Sequence, residues 1–391
     1  MKKNWNKYFR LLALPIIACG LFATGSYAQS TQDEEVSGVL KVYGGGGTKA
    51  TFNVMNYPGE AGFSPSKILM GTATNTEPKV VFEVNTKLGL EKNMMLEDNK
   101  VKLALETGLS NQGKANLRKA FAEFKSWMVG FQVSNFCDPS ILPGTEEMPN
   151  SAVAKRAVQL KFQHPINESF SYAVSVEEAA KFDLYPGKKE EEKKNMPQKP
   201  NRDIPVGTIS MKYTYPNALG HLHVGLLGGA LSCYDKNKSQ YLPAFGANVG
   251  TEYKLQPQTS LKGHVVYGQG VGGYIGDLAN LAEKEVNTAY LKAKSSELNT
   301  IQAWGGYAAV EHRWVPQLGS TLAGSLLRTI EDQNRTSKQH YKTGVFVAAN
   351  IMYYPTEQVH VGVEIVHGVR VNIDDKYAQA NRVQAVAGFK F

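Results

Sequence analysis

The chain has 391 residues, with 43 Lys or Arg against 35 Asp or Glu, and 42% of its residues are hydrophobic. That hydrophobic fraction excludes wholesale disorder, and a total of 3 Cys excludes a small fold held together by disulfides. The only long apolar stretch, at 11–24, is too short and too close to the N-terminus to serve as a membrane helix. The 37 Gly, 19 Tyr and 16 Phe residues indicate β-structure instead.

Residues 1–28 have the pattern of a secretory signal peptide, which predicts a mature chain at 29–391. Basic residues precede an apolar run at 11–22, and small residues follow it before the predicted cleavage site. Two other interpretations of this segment stay open. One is a buried N-terminal helix, which Pro15 disfavours, and the other is a lipoprotein signal that ends at Cys19.

Removal of the signal peptide halves the formal net charge of +8, because the segment holds four basic residues and no acidic ones. So weak a positive charge on an exported chain argues against binding to nucleic acid. The mature chain keeps Cys137 and Cys233, and the sequence leaves open whether they pair. Neither belongs to a CxxC motif, so no zinc site is indicated.

Beyond the signal peptide, apolar and polar residues alternate with a period of two, in segments typical of β-strands. The clearest segment is 359–365, where Val and Ile occupy the odd positions and His, Gly and Glu the even ones. Further strands are predicted at 36–55, with a break at the glycine run 44–47, and at 80–88, 100–107, 208–215, 221–226, 343–353 and 383–391.

Connector lengths distinguish a membrane barrel from a soluble β-sandwich. Short turns are predicted at 125–126, 164–168, 216–220, 256–258, 315–319 and 355–358. Long polar loops are predicted at 56–78, 134–155, 178–206, 232–243, 268–299, 329–342 and 367–380, with a solvated tip at 188–194 and a helix over 278–298. Alternating short and long connectors are typical of a bacterial outer-membrane barrel. The sequence therefore predicts an all-β transmembrane antiparallel β-barrel of about 16 strands, with short periplasmic turns and long outer loops.

Aromatic and polar residues support this prediction. The aromatic residues beside the short turns, typical of an interfacial girdle, are Trp127, Phe162, Tyr213, Tyr215, Tyr253, Trp314, Tyr353, Tyr354 and Phe391. The polar residues opposite the apolar faces are Glu83, Asn85, Lys87, Lys102, Glu106, Gln159, Lys161, Lys212, His221, His223, Lys262, His264, His360, Glu364, Gln384 and Lys390. Such faces suit the wall of a water-filled channel, and their basic excess predicts a mild preference for anions.

Motifs for chemistry are weak. The GxGxxG match at 268–273 lacks the βαβ context of a dinucleotide site, and no GxSxG or HExxH motif occurs. His221 and His223 share a strand face, where a channel wall is favoured over a zinc site. We therefore predict no catalytic residue, no metal and no cofactor, and a protein that is not an enzyme.

Several segments together form a recognisable pattern. They are 301–309 (IQAWGGYAA) with Trp314 and 318–321, the terminal strand at 380–384 and 389–391, and, upstream, 117–124 (LRKAFAEF) with 129–132. In these segments the chain resembles the DcaP-like outer-membrane porins. The resemblance implies a homotrimeric porin in the outer-membrane lipid that passes small anionic solutes such as dicarboxylates. It also implies that Arg118, Arg156, Lys161 and Arg382 line the constriction. Lys212 and Lys262, which belong to the polar strand faces described above, are predicted to line the pore as well.

We expect residues 136–154 to form the loop that narrows the channel, since this segment is long and is stiffened by three Pro residues. An ordinary outer loop is the alternative. Two other functions stay open for the whole chain, a β-barrel enzyme or lipid transporter of the outer membrane and a secreted β-sandwich binding protein.

Overall fold

In the computed structural model, the structure describes residues 40–58, 62–71, 79–110, 115–180, 200–202, 204–235, 238–279, 281, 288–291, 298–330 and 340–391. The predicted signal peptide, its boundary at residue 28 and the charged tip at 188–194 lie outside the described residues. Within the described ranges, no helix is long and apolar enough to cross a lipid bilayer.

Sixteen long antiparallel strands of the described chain close into a barrel, as predicted. They are β1 (Leu40–Met55), β2 (Lys79–Leu96), β3 (Asn99–Ser110), β4 (Ala115–Phe124), β5 (Trp127–Val133), β6 (Arg156–Pro165), β7 (Phe170–Glu177), β9 (Val206–Thr214), β10 (Gly220–Asp235), β11 (Lys238–Gln256), β12 (Thr259–Gln269), β15 (Gln302–Val315), β16 (Leu318–Ile330), β17 (Tyr341–Tyr353), β18 (Val359–Asn372) and β19 (Tyr377–Lys390). The described chain also has three short strands. β8 (Pro200–Arg202) pairs with β10. β13 (Ala289–Leu291) and β14 (Leu298–Thr300) pair with each other.

The barrel closes where β1 pairs with β2 on one side and with β19 on the other. Gly45 lies opposite Lys390 and Gly47 opposite Gly388, so the glycine run continues the strand and the predicted break at 44–47 is wrong. An ideal Cβ on Gly45 would lie 2.5 Å from the carbonyl oxygen of Phe389. Glycine therefore provides space for close strand pairing at the point where the sheet closes on itself.

Alternate residues face the lipid and the lumen. On β2, Phe82 exposes 72% of its surface while its neighbour Glu83 exposes 6%. The same alternation separates exposed Val363 and Ile365 from buried Glu364 on β18. The predicted apolar and polar faces are therefore the outer and inner faces of the barrel, because lipid accepts only apolar side chains at its depth.

The predicted short turns all lie at one end of the barrel, which is the periplasmic end, together with exposed aromatic side chains such as Trp127 and Trp314. At the opposite, outer end, the loops predicted at 232–243 and 367–380 are wrong. β10 continues to Asp235, β11 begins at Lys238, and only four residues separate β18 from β19. Strands that project into water keep their ladder hydrogen bonds, so polar side chains did not mark the strand ends.

The helix predicted over 278–298 is wrong where the structure describes it. A single helical turn, Gly276–Ala279, is followed by the β13–β14 ladder. Residues 280, 282–287 and 292–297 lie outside the described set. Helix propensity is a weak preference that tertiary pairing overrides. Here the pairing includes a hydrogen bond from the backbone N–H of Ile301 to the carbonyl oxygen of Thr288 (2.8 Å). The remaining short helical turns are Pro65–Lys67, Pro139–Ile141, Pro216–Ala218 and Gly272–Tyr274.

The apolar core lies inside the barrel, where three loop segments pack against the inner wall. These segments are 62–71, 134–155 and 270–279. One cluster joins Phe136 of the second segment and Tyr274 of the third to wall residues that include Leu327 and Val266. A second cluster joins Tyr57, Phe63 and Ile68 to Phe346, Val366 and Ala380. Part of the lumen is therefore dry and packed, and only the remainder is left for solutes.

Candidate functional site

The segment 134–155, hereafter the inserted loop, leaves β5 and follows the inner wall. Asn248 Nδ2 donates to the carbonyl of Phe136 (2.7 Å), which places the start of the loop against β11. Lys262 Nζ donates to the carbonyl of Leu142 (2.8 Å), and Tyr307 Oη donates to that of Ile141 (3.1 Å). These contacts move progressively around the barrel, from β11 through β12 to β15.

The loop continues along the wall to β1. Asn350 Nδ2 donates to the carbonyl of Gly144 (2.8 Å), and the backbone N–H groups of Glu146 and Glu147 donate to Glu364 (2.7 and 3.0 Å). The hydrogen bonds that residues 136–154 make with described strands go to β10–β12, β15–β19 and β1. The inner faces of β2–β7 and β9 are hereafter called the open wall. Among the described residues, the loop bonds to this wall only through Asn135 at its start, which contacts Glu177 of β7 and Thr208 of β9.

Glu147 is the strongest anchor of the inserted loop. Its Oε1 lies 2.8 Å from Lys49 Nζ and 2.8 Å from an Nη of Arg382, and its Oε2 accepts from the backbone N–H of Phe63 (2.8 Å). Burial opposes ionisation of this carboxyl, but the charges of Lys49 and Arg382 outweigh it and hold the pKa of Glu147 below its usual range. The loop is therefore fixed by a buried, charged network.

A second polar anchor joins the loop to β10. Asp138 Oδ2 lies 2.7 Å from His221 Nε2, and Ser140 Oγ lies 3.1 Å from the same nitrogen. Burial opposes ionisation of Asp138, but hydrogen bonds from Ser140 and the contact with His221 keep its pKa lowered. In a hydrolase triad, Ser and Asp contact opposite ring nitrogens, whereas here they share one, so the geometry is that of an anchor.

The zinc alternative at His221 and His223 finds no support. Among the described residues, no group of three or more His, Cys, Asp or Glu side chains is placed to hold a metal. Cys137 is a buried free thiol, and the side chain of Cys233 lies outside the described set.

Small residues on the inner wall make room for the loop. An ideal Cβ on Gly225 of β10 would lie 2.8 Å from the carbonyl oxygen of Phe136 and 2.8 Å from Asn248 Nδ2, the group that donates to this carbonyl. Any larger residue at 225 therefore has to push the loop inward or break that hydrogen bond.

We expect Gly225→Ala to destabilise the folded barrel by about 1–3 kcal/mol, since overpacking a tight contact has costs of this order. The measurement is the temperature at which the folded band on a detergent gel converts to the unfolded one. Gly228→Ala on the same strand is the matched control, because no atom lies within 4 Å of its ideal Cβ. Equal shifts for the two variants would contradict the packing argument.

The open wall carries exposed basic groups and buried acidic ones. Glu83, Glu106 and Glu177 are buried, with exposures of 6%, 4% and 2%. Basic side chains of this wall that are exposed or half-exposed are Lys87, Lys102, Arg118, Lys119, Lys161 and Lys212, while Glu91 and Glu123 are half-exposed. A solute that passes between the open wall and the inserted loop therefore meets mainly positive charge.

Comparison with known proteins agrees with this architecture. The model of the DcaP outer membrane protein family matches residues 81–391. The chain belongs to this family. It is a channel protein of the bacterial outer membrane, as predicted.

Solved structures with the same fold include the outer membrane channel DcaP of Acinetobacter baumannii, at 18% identity and a TM-score of 0.76, over 93% of this chain and 100% of that one. An anion-selective porin from Comamonas acidovorans aligns at 9% identity and a TM-score of 0.59, over 91% and 100%. The trimer form of OmpT from Vibrio cholerae aligns at 11% identity and a TM-score of 0.55, over 91% and 100%. No curated protein matches the chain.

In this DcaP-family barrel, the six basic residues predicted to line the pore occupy three different settings. Arg118, Lys161 and Lys212 belong to the open wall. Lys262 lies under the inserted loop, bound to Leu142 and 3.2 Å from Glu311. Arg382 faces inward but is fully buried, with its guanidinium 4.9 Å from the ring centre of Tyr57.

Arg156 departs from the pattern expected of a pore residue. By strand parity it belongs with Val158 and Leu160, which face outward and are exposed. It is half-buried at the root of the inserted loop, where its charge interacts with those of Arg118 and Glu106. These charges belong to lumen groups, so the predicted pore-lining role of Arg156 stays a prediction.

Sequence reasoning missed several groups that organise this DcaP-family lumen. Glu147 was placed in the inserted loop without a role, and Tyr43 and Lys119 were not singled out. Lys119 was not predicted as a lumen residue because a β-bulge shifts the register of β4 against β3. Glu106 lies opposite Lys119, whereas the next residue, Thr107, lies opposite Leu117. Both Arg118 and Lys119 thereby reach the lumen, whereas strict alternation allows only one of them.

A buried carboxylate joins the three lumen segments at the outer end of the DcaP-family barrel. Asp277 accepts hydrogen bonds from the hydroxyl of Ser64, from the backbone N–H of Ser66 (3.1 Å) and from Tyr341 Oη (2.6 Å). Its own backbone N–H donates to the carbonyl of Asn150 in the inserted loop (2.9 Å). Burial raises the pKa of Asp277, and three donors compensate in part for the lost hydration.

Proposed function

We propose that this porin is a passive diffusion channel that prefers small anionic solutes of the dicarboxylate type. One observation carries the proposal: on the open wall, the exposed charges are mainly basic, while Glu83, Glu106 and Glu177 are buried. A permeating ion responds most strongly to groups that water also reaches, because an exposed charge is close to the solute path. The porin from Comamonas acidovorans, a barrel of the same fold, is anion-selective.

We also propose that the protein is a homotrimer. β5 has 7 residues and β7 has 8, whereas β10 and β11 have 16 and 19. A strand needs about 9–11 residues to cross the bilayer at the usual tilt, so the wall is low at β5 and β7. A neighbouring subunit that covers this low wall would remove the mismatch with the lipid, and OmpT from Vibrio cholerae, which shares this fold, has a trimer form.

The proposed selectivity is tested by the reversal potential of single channels under a KCl gradient. We expect the wild-type channel to prefer chloride, and addition of succinate to reduce the chloride current. Lys161→Gln and Lys212→Gln should each lower the ratio of anion to cation permeability by about twofold or more, since a unit charge about 8 Å away in water contributes about 0.5 kcal/mol, with opposite sign for anion and cation.

Lys125→Gln is the control for this experiment, because Lys125 is an exposed residue of a periplasmic turn. It removes the same charge outside the lumen and should leave the reversal potential unchanged. Cation preference in the wild-type channel would refute the proposed function. An equal effect of all three substitutions would refute the role of the open wall.

A further inference from the structure

Glu106 lies on the open wall in a site built to hold a carboxylate. Tyr43 Oη donates to its Oε2 (2.9 Å), Arg118 Nε donates to its Oε1 (2.6 Å), and Lys119 Nζ lies 3.1 Å from Oε2. The Glu106 side chain exposes 5%, whereas those of Arg118 and Lys119 expose 38% and 34%. The donors are therefore open to the lumen while the acceptor is beneath them.

The fold assembles this site from three strands. The β-bulge on β4 turns two consecutive basic residues, Arg118 and Lys119, toward one carboxylate on β3. Tyr43 reaches the same carboxylate from β1 by lying across β2 at Gly89, where an ideal Cβ would lie 2.2 Å from the Tyr43 ring. Lys119 Nζ also donates to Tyr43 Oη (3.2 Å), so the three donors form one connected group.

We propose that Glu106 is a resident counter-ion that determines how strongly the channel holds carboxylate solutes. It fills a carboxylate-binding site formed by Tyr43, Arg118 and Lys119, as an intramolecular ligand. A solute carboxylate has to compete with Glu106 for these donors. The charges of Arg118, Lys119 and Glu106 sum to +1, whereas the site without Glu106 would carry +2. The class of ligand, small carboxylates, rests on the proposed function; the role of Glu106 rests on the contacts above.

The charge count explains what a resident carboxylate achieves in a diffusion channel. Two cations and a hydroxyl that were free would bind a carboxylate by charge-assisted hydrogen bonds, which are the strong ones. Conduction requires binding that is weak enough for the solute to leave. Glu106 lowers the affinity of this site, so that anions are attracted without being retained.

The test compares Glu106→Gln and Glu106→Ala with the wild-type channel in planar bilayers. Both variants remove the charge and should raise the ratio of chloride to potassium permeability, by about twofold or more. Glu106→Ala also empties the site, so succinate at the same concentration should block its current more, and for longer times, than that of Glu106→Gln.

Glu91→Gln is the matched control, because Glu91 lies on the same wall, pairs with Lys102 at 3.4 Å and is half-exposed. Heat-dependent migration on a detergent gel shows that each variant has folded; if Glu106→Ala does not fold, Glu106→Gln alone decides through its reversal potential. A change in permeability ratio no larger than that of Glu91→Gln would overturn the inference. Cation preference in the wild-type channel would instead overturn the proposed function and leave the comparison between the two glutamates valid.

Discussion

Replacing Glu147 by Gln is expected to release the inserted loop from the barrel wall and to raise the single-channel conductance. The substitution removes the anion that lies 2.8 Å from both Lys49 and Arg382. Arg382 is fully buried, so the substitution removes a carboxylate that pairs with its charge inside the barrel. Breaking a buried ion pair in this way has a cost of about 3–5 kcal/mol, which is the free energy that would be lost from the docked loop.

Planar-bilayer recordings measure this effect directly, as a larger mean conductance with added current noise while the loop moves. Glu146→Gln is the control: it removes the same charge from the adjacent residue, whose side chain is exposed and has no ion pair with a described residue. The substitution leaves the hydrogen bond from the backbone N–H of residue 146 to Glu364 in place. The conductance of the Glu146→Gln channel should therefore stay close to that of the wild type. Identical conductance in Glu147→Gln and wild type would show that the loop does not narrow the pore.

Replacing Asp277 by Ala is expected to loosen the outer mouth of the channel while the barrel remains closed. The buried donors Ser64, Ser66 and Tyr341 would lose their acceptor together. Each buried donor left without a partner costs about 1–3 kcal/mol, so the three lumen segments would separate more easily. Hydrogen exchange of the folded protein should become faster over 62–68, whereas exchange in the barrel strands should change little.

Asp375→Ala is the control for this second prediction. Asp375 also lies at the outer end and pairs with Lys342 at 2.7 Å, but its side chain is 78% exposed. Exposed ion pairs contribute at most about 1 kcal/mol, so its loss should leave exchange over 62–68 unchanged. Similar exchange in Asp277→Ala and wild type would show that the apolar clusters alone hold these segments in place.

These anchors divide the inner wall into two halves with different tasks. From β10 round to β1, side chains bind the inserted loop, and even charged residues such as Arg382 and Lys262 are used for this purpose. From β2 to β9, the described part of the loop bonds to the wall only through Asn135, and basic groups such as Lys161 and Lys212 lie outside that contact. A positive residue on the inner face is therefore a candidate pore residue only on the open wall.

Much of the fold was predictable from the sequence, because a membrane barrel obeys a simple local rule. Each strand alternates between lipid and lumen, so the period of two at 359–365 already identified the outer and inner faces of β18. The pattern of short and long connectors indicated both ends of the barrel, and a long segment with three Pro residues at 136–154 indicated the inserted loop. The family resemblance agreed with the same conclusion from a different set of residues.

The sequence by itself determined the barrel, the direction in which most side chains face and the identity of the inserted loop. Only the tertiary structure decided what covers each inward-facing group, because Arg382 and Lys212 have the same parity and differ only in whether a distant segment lies over them. It also decided the register at Arg118, where a single bulge brings two basic residues to one carboxylate. Alternation is a property of neighbouring residues. The burial of an inward-facing side chain by a loop and the register of two strands depend instead on contacts between residues far apart in the chain. Those contacts determine which charges a solute meets.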